Sequence, residues 1–332
     1  MLNVAVLGCG WAGKAHLRAY QKNRNTNIVS VFGIPFESTV KVAKEFGAKP
    51  YNDFDKMVRE MDIDIIDICL PTYLHIEYLE KCKSRNVHIF CEKPFTLNYD
   101  ESKELESQFK LYEKKIMVGY VVRFFNAYEI ARNFVKENKY GNIISVYLYR
   151  LSAMPPWSPW YKDEKLSGGG VVDLYIHDLD YVYWLLGYPS KIYSVGSKIK
   201  NTNNWAQAFT VFNYPGETHA IIETNQDMPG YFPFTFGFRI NYEDATLVYN
   251  FTAPEKEKGD FDSIFYGNLK IYERGKSFGR EIKLDSKDPY EKEIFYFIDR
   301  VINNEPIEIG NLKDAVWGMQ ITDMVKSSLK NH

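Results

Sequence analysis

An apolar run from Leu2 to Leu7 passes directly into Gly8-Cys9-Gly10-Trp11-Ala12-Gly13, and a helix-like stretch follows. Strand, G-x-G-x-x-G, then helix is the order a dinucleotide needs, because each glycine has its own physical task. Gly8 allows the tight turn, Gly10 lets bare backbone approach a pyrophosphate, and Gly13 lets the helix pack close on the strand. The free N–H groups and positive end of the helix then favour an anion. Trp11 and Ala12 lie inside the same turn and join the glycines as cofactor-binding candidates. The plain alternative is a tight strand-to-helix turn with no ligand.

Strand and helix alternate through the first third of the chain. The sequence predicts strands at 28–32, 63–70, 87–91 and 116–120, with helices at 11–22, 37–46, 74–84 and 98–114 between them. That alternation implies a parallel, doubly wound sheet of the Rossmann kind with helices on both faces. Past residue 121 the period changes. One amphipathic helix (127–138) leads into strand-like runs rich in Val, Ile, Tyr and Phe, several separated by turn pairs such as Pro215-Gly216 and Glu243-Asp244. A large, mainly antiparallel open sheet is expected there, and two helices (289–303 and 311–330) close the chain. The expected fold class is therefore α/β with two domains, residues 1–121 for a dinucleotide and 122–332 for substrate and oligomer contacts.

A chain of 332 residues with 45% apolar and 16% aromatic content can bury cores for two domains. A net charge of -2 offers no basic field for nucleic acid or anionic lipid, so a small molecule is the expected partner. No apolar run is long enough for a membrane span, and no charged n-region or cleavage site precedes the first strand, so a cytoplasmic location is expected. The four cysteines, Cys9, Cys69, Cys82 and Cys91, lack paired metal spacing and read as reduced structural thiols, and no metal is expected.

Three further motifs carry chemistry. Glu92-Lys93-Pro94 stands at the carboxyl end of a parallel strand, the edge where open sheets bind ligands. A lysine there can hold a substrate hydroxyl and ease its deprotonation, with Pro94 fixing the backbone; a surface lysine after a strand would leave the same letters. The second is Gly168-Gly169-Gly170-Val171-Val172-Asp173-Leu174-Tyr175-Ile176-His177-Asp178-Leu179-Asp180. Asp173 and His177 are four apart, one face of a helix, and an imidazole oriented by a carboxylate suits a hydroxyl proton near neutrality. A metal site drawn from these acids is disfavoured, since Asp178 and Asp180 cannot both share that face. The third is the turn Pro71-Thr72-Tyr73-Leu74-His75, where Pro71 and Thr72 can line a cofactor cleft and His75 can reach its phosphates. Trp157, Trp160 and Tyr161, in a proline-rich stretch before the glycines, offer aromatic faces on which a substrate could stack, or pack on their own domain. Arg123, just past the strand at 116–120, joins them as a substrate-binding candidate.

The segments GCGWAGKAH, PTYLH, CEKP and GGGVVDLYIHDLD, in that order, resemble the glucose-fructose oxidoreductase / inositol dehydrogenase / rhizopine catabolism (Gfo/Idh/MocA) family. The resemblance covers essentially the whole chain. It implies a Rossmann domain, a C-terminal α/β domain whose open sheet often forms a homodimer or homotetramer interface, and NAD- or NADP-dependent oxidation or reduction of a sugar or polyol. The family's catalytic lysine falls on Lys93, and its aspartate and histidine on Asp173 and His177. One departure stands out. The acid expected about 20 residues past the glycines, which would bind the adenosine ribose, is replaced by Gly33, and Ser38, Thr39 or Lys41 could receive a 2'-phosphate, so NAD and NADP both stay open. Two rival functions use the same fold: a dinucleotide- and sugar-binding sensor without turnover, and a glycosidase that oxidises only transiently. A Tyr-x-x-x-Lys pair at Tyr161/Lys165 recurs elsewhere in this tyrosine-rich chain and is read as accidental.

Overall fold

Runs of small and branched apolar residues bounded by turns become buried parallel strands in the first part of the chain. The computed structural model describes residues 1–154, 160, 163–200, 202, 204–254 and 267–331. In order come β1 (Leu2–Leu7), α1 (Trp11–Lys22), β2 (Thr26–Phe32), α2 (Phe36–Glu45), β3 (Lys49–Tyr51), α3 (Phe54–Glu60), β4 (Ile65–Ile68), α4 (His75–Arg85), β5 (His88–Glu92), α5 (Tyr99–Gln108) and β6 (Ile116–Gly119). The strands form a parallel sheet in the order β3-β2-β1-β4-β5-β6. The order reverses between β1 and β4, so the carboxyl ends of those two strands open the crevice in which such sheets bind ligands.

The β3–α3 pair is absent from the sequence reading. Lys49-Pro50-Tyr51 is only three residues long and contains a proline, so it shows no alternation; it survives because it lies on the sheet edge, against β2. Asp53 caps the seven-residue α3 by accepting the Lys56 N–H at 2.9 Å.

The rest of the chain supplies α6 (Asn126–Lys136), β7 (Ile143–Leu151), α7 (Glu164–Ser167), α8 (Gly170–Asp173), α9 (Ile176–Leu186), β8 (Lys191–Lys198), β9 (Trp205–Asn213), β10 (His219–Asn225), β11 (Thr235–Tyr242), β12 (Ala245–Thr252), β13 (Asn268–Glu273), β14 (Arg280–Ile282), α10 (Pro289–Ile302) and α11 (Leu312–Lys330). The second sheet runs β14-β13-β12-β11-β7-β10-β9-β8, antiparallel except where β10 lies parallel to β7.

Contacts divide the chain into two units, residues 1–121 with 289–317 and residues 122–288 with 318–332. The continuous division expected from the sequence therefore differs over 289–317, which sits with the first unit. Its α10 packs on α1: Tyr290 meets Trp11 edge-on with ring centroids 5.1 Å apart, and Glu291 accepts from Lys22 at 2.7 Å. Phe297 reaches Phe90 on β5 at 5.5 Å.

In the second unit, one face of the sheet (Val146, Leu148, Ala220, Ile222, Phe236, Phe238, Ile240, Leu247, Tyr249) is buried. Tyr128 of α6 anchors it, meeting Tyr181 of α9 edge-on at 4.6 Å and Phe238 at 5.0 Å; such pairs add about 0.5–1.5 kcal/mol each beyond the area they bury. The opposite face carries Tyr193, Val195, Phe209, Ile221 and Tyr272, each between 38% and 49% exposed.

Candidate functional site

The glycine cradle forms where β1 meets α1. Gly8 holds φ +117, and a Cβ there would lie 2.3 Å from the Cys69 carbonyl oxygen at the end of β4, so the position requires glycine on two counts. At Gly13 a Cβ would lie 2.0 Å from the Gly8 carbonyl oxygen, which is the close helix-to-strand approach expected of the third glycine. Gly10 is different: a Cβ there meets nothing within 4 Å, so the space over its backbone is open. Gly10 is also the N-cap of α1, with no side-chain cap and no acidic residue in the first turn. A helix start without a cap or a carboxylate suits an anion, and these residues fit a dinucleotide pyrophosphate.

Gly10→Ala should therefore leave the fold intact and weaken dinucleotide binding by roughly tenfold or more, about the worth of one charge-assisted hydrogen bond. Calorimetric titration with NAD and NADP checks it, and unchanged affinity would remove the cradle.

Pro71 leads a single 3₁₀ turn, Thr72–Leu74, and Thr72 is buried. His75 does not reach out to a phosphate. It is buried, with Nδ1 2.8 Å from the Pro94 carbonyl and Nε2 2.8 Å from the Leu70 carbonyl, and so ties the turn after β4 to the turn after β5. Burial pushes its imidazole below the ordinary value.

At the end of β5, Lys93 is half-buried and the Lys93–Pro94 peptide is cis. Glu92 was expected to bind cofactor, but it turns inward. Its Oε2 accepts the Lys93 backbone N–H at 3.0 Å, and its Oε1 lies 3.1 Å from His16 Nε2. His16 Nδ1 is 2.9 Å from Asp67 Oδ2, and both residues are fully buried. Burial alone would depress this imidazole, but the Cys69 and Asp67 groups beside it carry it well above its ordinary value. The sequence reading missed this cluster, because its members stand on α1, β4 and β5 with no local spacing to mark them. The available signal was an aspartate inside the otherwise apolar strand Ile65–Ile68.

In the second unit the predicted single helix is interrupted. α8 ends at Asp173 and α9 begins at Ile176, with Leu174 and Tyr175 keeping right-handed helical angles between them. Asp173 is buried and His177 half-buried, three and seven residues past Gly170. Gly170 N–H donates to Asn204 Oδ1 at 3.0 Å, fixing the start of α8.

The neighbouring acids are already used. Arg150 reaches Asp178 through Nε and Nη2 at 2.8 and 2.9 Å, and Arg123 reaches Asp180 through the same pair of nitrogens at 2.8 and 2.6 Å. All four residues are buried. Arg123, expected to bind substrate, is thus committed to a bidentate ion pair inside the second unit, with its guanidinium 5.3 Å from the Trp184 ring.

The expected ribose position needs correction as well. Gly33 is buried, donates to the Tyr51 carbonyl at 3.0 Å, and a Cβ there would stand 2.9 Å from both Cys9 Sγ and Thr39 Oγ1. A side chain at this position would have to displace the Cys9 and Thr39 side chains. Ser38 is exposed and its hydroxyl donates to the Pro35 carbonyl at 2.7 Å. Trp160 is half-buried, while Trp157 and Tyr161 lie outside the described residues. The four cysteines are free thiols.

A family model described as an oxidoreductase family with an NAD-binding Rossmann fold (Gfo/Idh/MocA) matches residues 2–120, and the Gfo/Idh/MocA C-terminal domain matches residues 128–248. The chain is 28% identical over 235 residues to the 2,7-anhydro-N-acetylneuraminate hydratase of Escherichia coli, a match covering 67% of this chain and 61% of that protein. It is 22% identical over 345 residues to the myo-inositol 2-dehydrogenase of Thermotoga maritima, covering 99% and 96% of the two. Among solved structures, levoglucosan dehydrogenase in complex with NADH and L-sorbose superposes with a TM-score of 0.85 at 20% identity, covering 100% of this chain and 97% of that one. A 3-ketoreductase from Actinomadura kijaniata in complex with NADP gives 0.85 at 16%, covering 99% and 98%.

Proposed function

The chain belongs to the Gfo/Idh/MocA family of NAD-binding oxidoreductases, and on that premise we propose that it moves a hydride between nicotinamide and a CH–OH carbon of a sugar or polyol. The observation that carries this reading is the cradle: an uncapped helix start over a backbone that is open at Gly10 and closed at Gly8 and Gly13. Relatives named for inositol and structural neighbours solved with levoglucosan or L-sorbose support the substrate class.

When bound, the nicotinamide supplies the hydride acceptor or donor. Gly8, Gly10, Gly13 and the first turn of α1 would hold its pyrophosphate, and Pro71 and Thr72 would line the same crevice. Lys93 donates a hydrogen bond to the substrate oxygen and stabilises its developing negative charge. His177 takes the hydroxyl proton in the oxidation direction and returns it in reduction, and Asp173 orients either the imidazole or a second hydroxyl. The aromatic residues Trp157, Trp160 and Tyr161 are proposed to face the sugar, and the protein is proposed to act in the cytoplasm. Residues 1–121 are read as the nucleotide-binding domain, and 122–332, apart from the helices that join the first unit, as the substrate and assembly domain.

Incubation with NAD or NADP and a panel including myo-inositol, levoglucosan and L-sorbose, followed by reduced-nicotinamide absorbance, tests the reading. Turnover with at least one polyol or sugar is expected; dinucleotide binding with no turnover on any would favour a sensor.

Assembly is proposed to use the open face of the second sheet. Tyr193, Val195, Phe209 and Ile221 stand on one face of adjacent strands β8, β9 and β10, and a half-exposed apolar face of this breadth calls for a cover. A second copy of the chain, as homodimer or homotetramer, is the expected occupant. Sedimentation at micromolar concentration should show an oligomer that Phe209→Glu with Ile221→Glu dissociates; a monomer before substitution would refute it.

A further inference from the structure

His16, Asp67 and Glu92 come from three separate elements of the first unit, yet one imidazole touches both carboxylates. A neutral imidazole has a single N–H to give. Asp67 Oδ2 hydrogen-bonds Nδ1 at 2.9 Å, and Glu92 Oε1 lies 3.1 Å from Nε2 in an ion-pair contact without hydrogen-bond geometry; a carboxylate beside each nitrogen of one buried ring favours the imidazolium. Cys69 Sγ lies 3.3 Å from Nδ1, Tyr20 on the same helix stands beside Asp67, and the rings of Phe90 and Tyr290 close over the imidazole at 5.1 and 5.9 Å. Glu293 on α10 is also fully buried nearby, facing Tyr20. In such surroundings a carboxylate without a partner is costly, and a cation between two of them removes that cost.

The second oxygen of Glu92 accepts the backbone N–H of Lys93 at 3.0 Å. A continuous line of contacts therefore runs from the helix of the glycine cradle, through His16 and Glu92, to the peptide that carries Lys93. We infer that His16 is a positioning residue for Lys93: its imidazolium fixes the Glu92 carboxylate, and that carboxylate fixes the Lys93 backbone. The inference rests on the proposed role of Lys93 in turnover. His16, Asp67 and Cys69 also have ligand atoms within 4.8 Å of one another, a spacing that could hold a metal ion. An imidazolium protonated at both nitrogens has no lone pair to offer one, and the carboxylates on either side favour that form.

Two measurements test this. Nitrogen-15 NMR of the histidine rings should show His16 protonated at both nitrogens near neutral pH, with that state lost in Asp67→Asn; a ring with one bare nitrogen would overturn the inference. Kinetics with the polyol found by the panel should show His16→Asn and Glu92→Gln losing kcat by roughly 10- to 100-fold, the usual effect of a small misplacement of a reacting group. Sites are to be counted by NADH binding, and the KM for dinucleotide should stay within about twofold. In a Lys93→Ala background, His16→Asn should cost nothing more. A purely structural role would lower Tm and leave kcat per active site unchanged in the parent background, which would overturn the inference. If Lys93→Ala loses turnover while His16→Asn and Glu92→Gln keep it, the coupling is wrong and the Lys93 assignment stands. If Lys93→Ala keeps turnover, that assignment falls and this inference with it.

Discussion

Lys93→Ala is expected to lower turnover by about 10²- to 10⁴-fold, the range for removing a positioned acid, base or oxyanion donor, while dinucleotide affinity changes little. The half-buried ammonium stands at the carboxyl edge of the parallel sheet, one residue past β5. Its contribution exists only while negative charge grows on the substrate oxygen, so its loss should appear in kcat more than in KM. His177→Ala should give a loss of the same order, through proton transfer rather than charge. The two losses should add less than fully in the double variant, as for groups acting on one oxygen. Steady-state kinetics on the polyol found by the panel, with calorimetry for the dinucleotide, separates these outcomes. Near-normal turnover in both single variants would take the chemistry away from these residues.

Arg150→Ala should cost about 3–5 kcal/mol of stability. The Arg150 guanidinium is buried, bidentate to a fully buried Asp178, and 4.8 Å from the Phe236 ring. Removing it leaves an uncompensated carboxylate inside the second unit, which costs far more than the pair contributes when intact. Replacing both partners, Arg150→Met with Asp178→Leu, should recover most of the loss, because two apolar side chains of similar volume leave no charge to solvate. Denaturant melts of the three variants decide it. A double variant as unstable as Arg150→Ala would mean that the pair's specific geometry, and not the stranded charge, sets the cost.

The Rossmann half was legible because its strands are short apolar runs punctuated by glycine and proline, and because Gly8 and Gly13 each have a geometric task that the structure displays. β3 escaped because a three-residue edge strand with a proline has no periodicity to read. The place of α10 escaped for another reason: chain order says nothing about which core a closing helix joins, and here Tyr290 and Phe297 go to the first.

Site residues divided along the same line. Motif position made Lys93, Asp173 and His177 candidates, and it also assigned outward roles to groups the fold turns inward. Arg123 is taken by Asp180, Glu92 by His16 and the Lys93 peptide, and His75 by two carbonyl oxygens. Several of these partners are remote in sequence, 19 residues away for the His75 contact with Pro94 and 57 for Arg123. Local pattern shows that a polar residue stands at a strand end; only the packed structure shows whether its donors are already spent.

Direct transfer of a labelled hydride tests the central claim most closely. A polyol substrate carrying deuterium on the reacting carbinol carbon, incubated with the protein and oxidised dinucleotide, should place that deuterium on C4 of the nicotinamide, with none lost to solvent. The transfer should fall with the turnover of Lys93→Ala and His177→Ala. Deuterium released to water, or a polyol consumed while the dinucleotide stays unlabelled, would contradict the account.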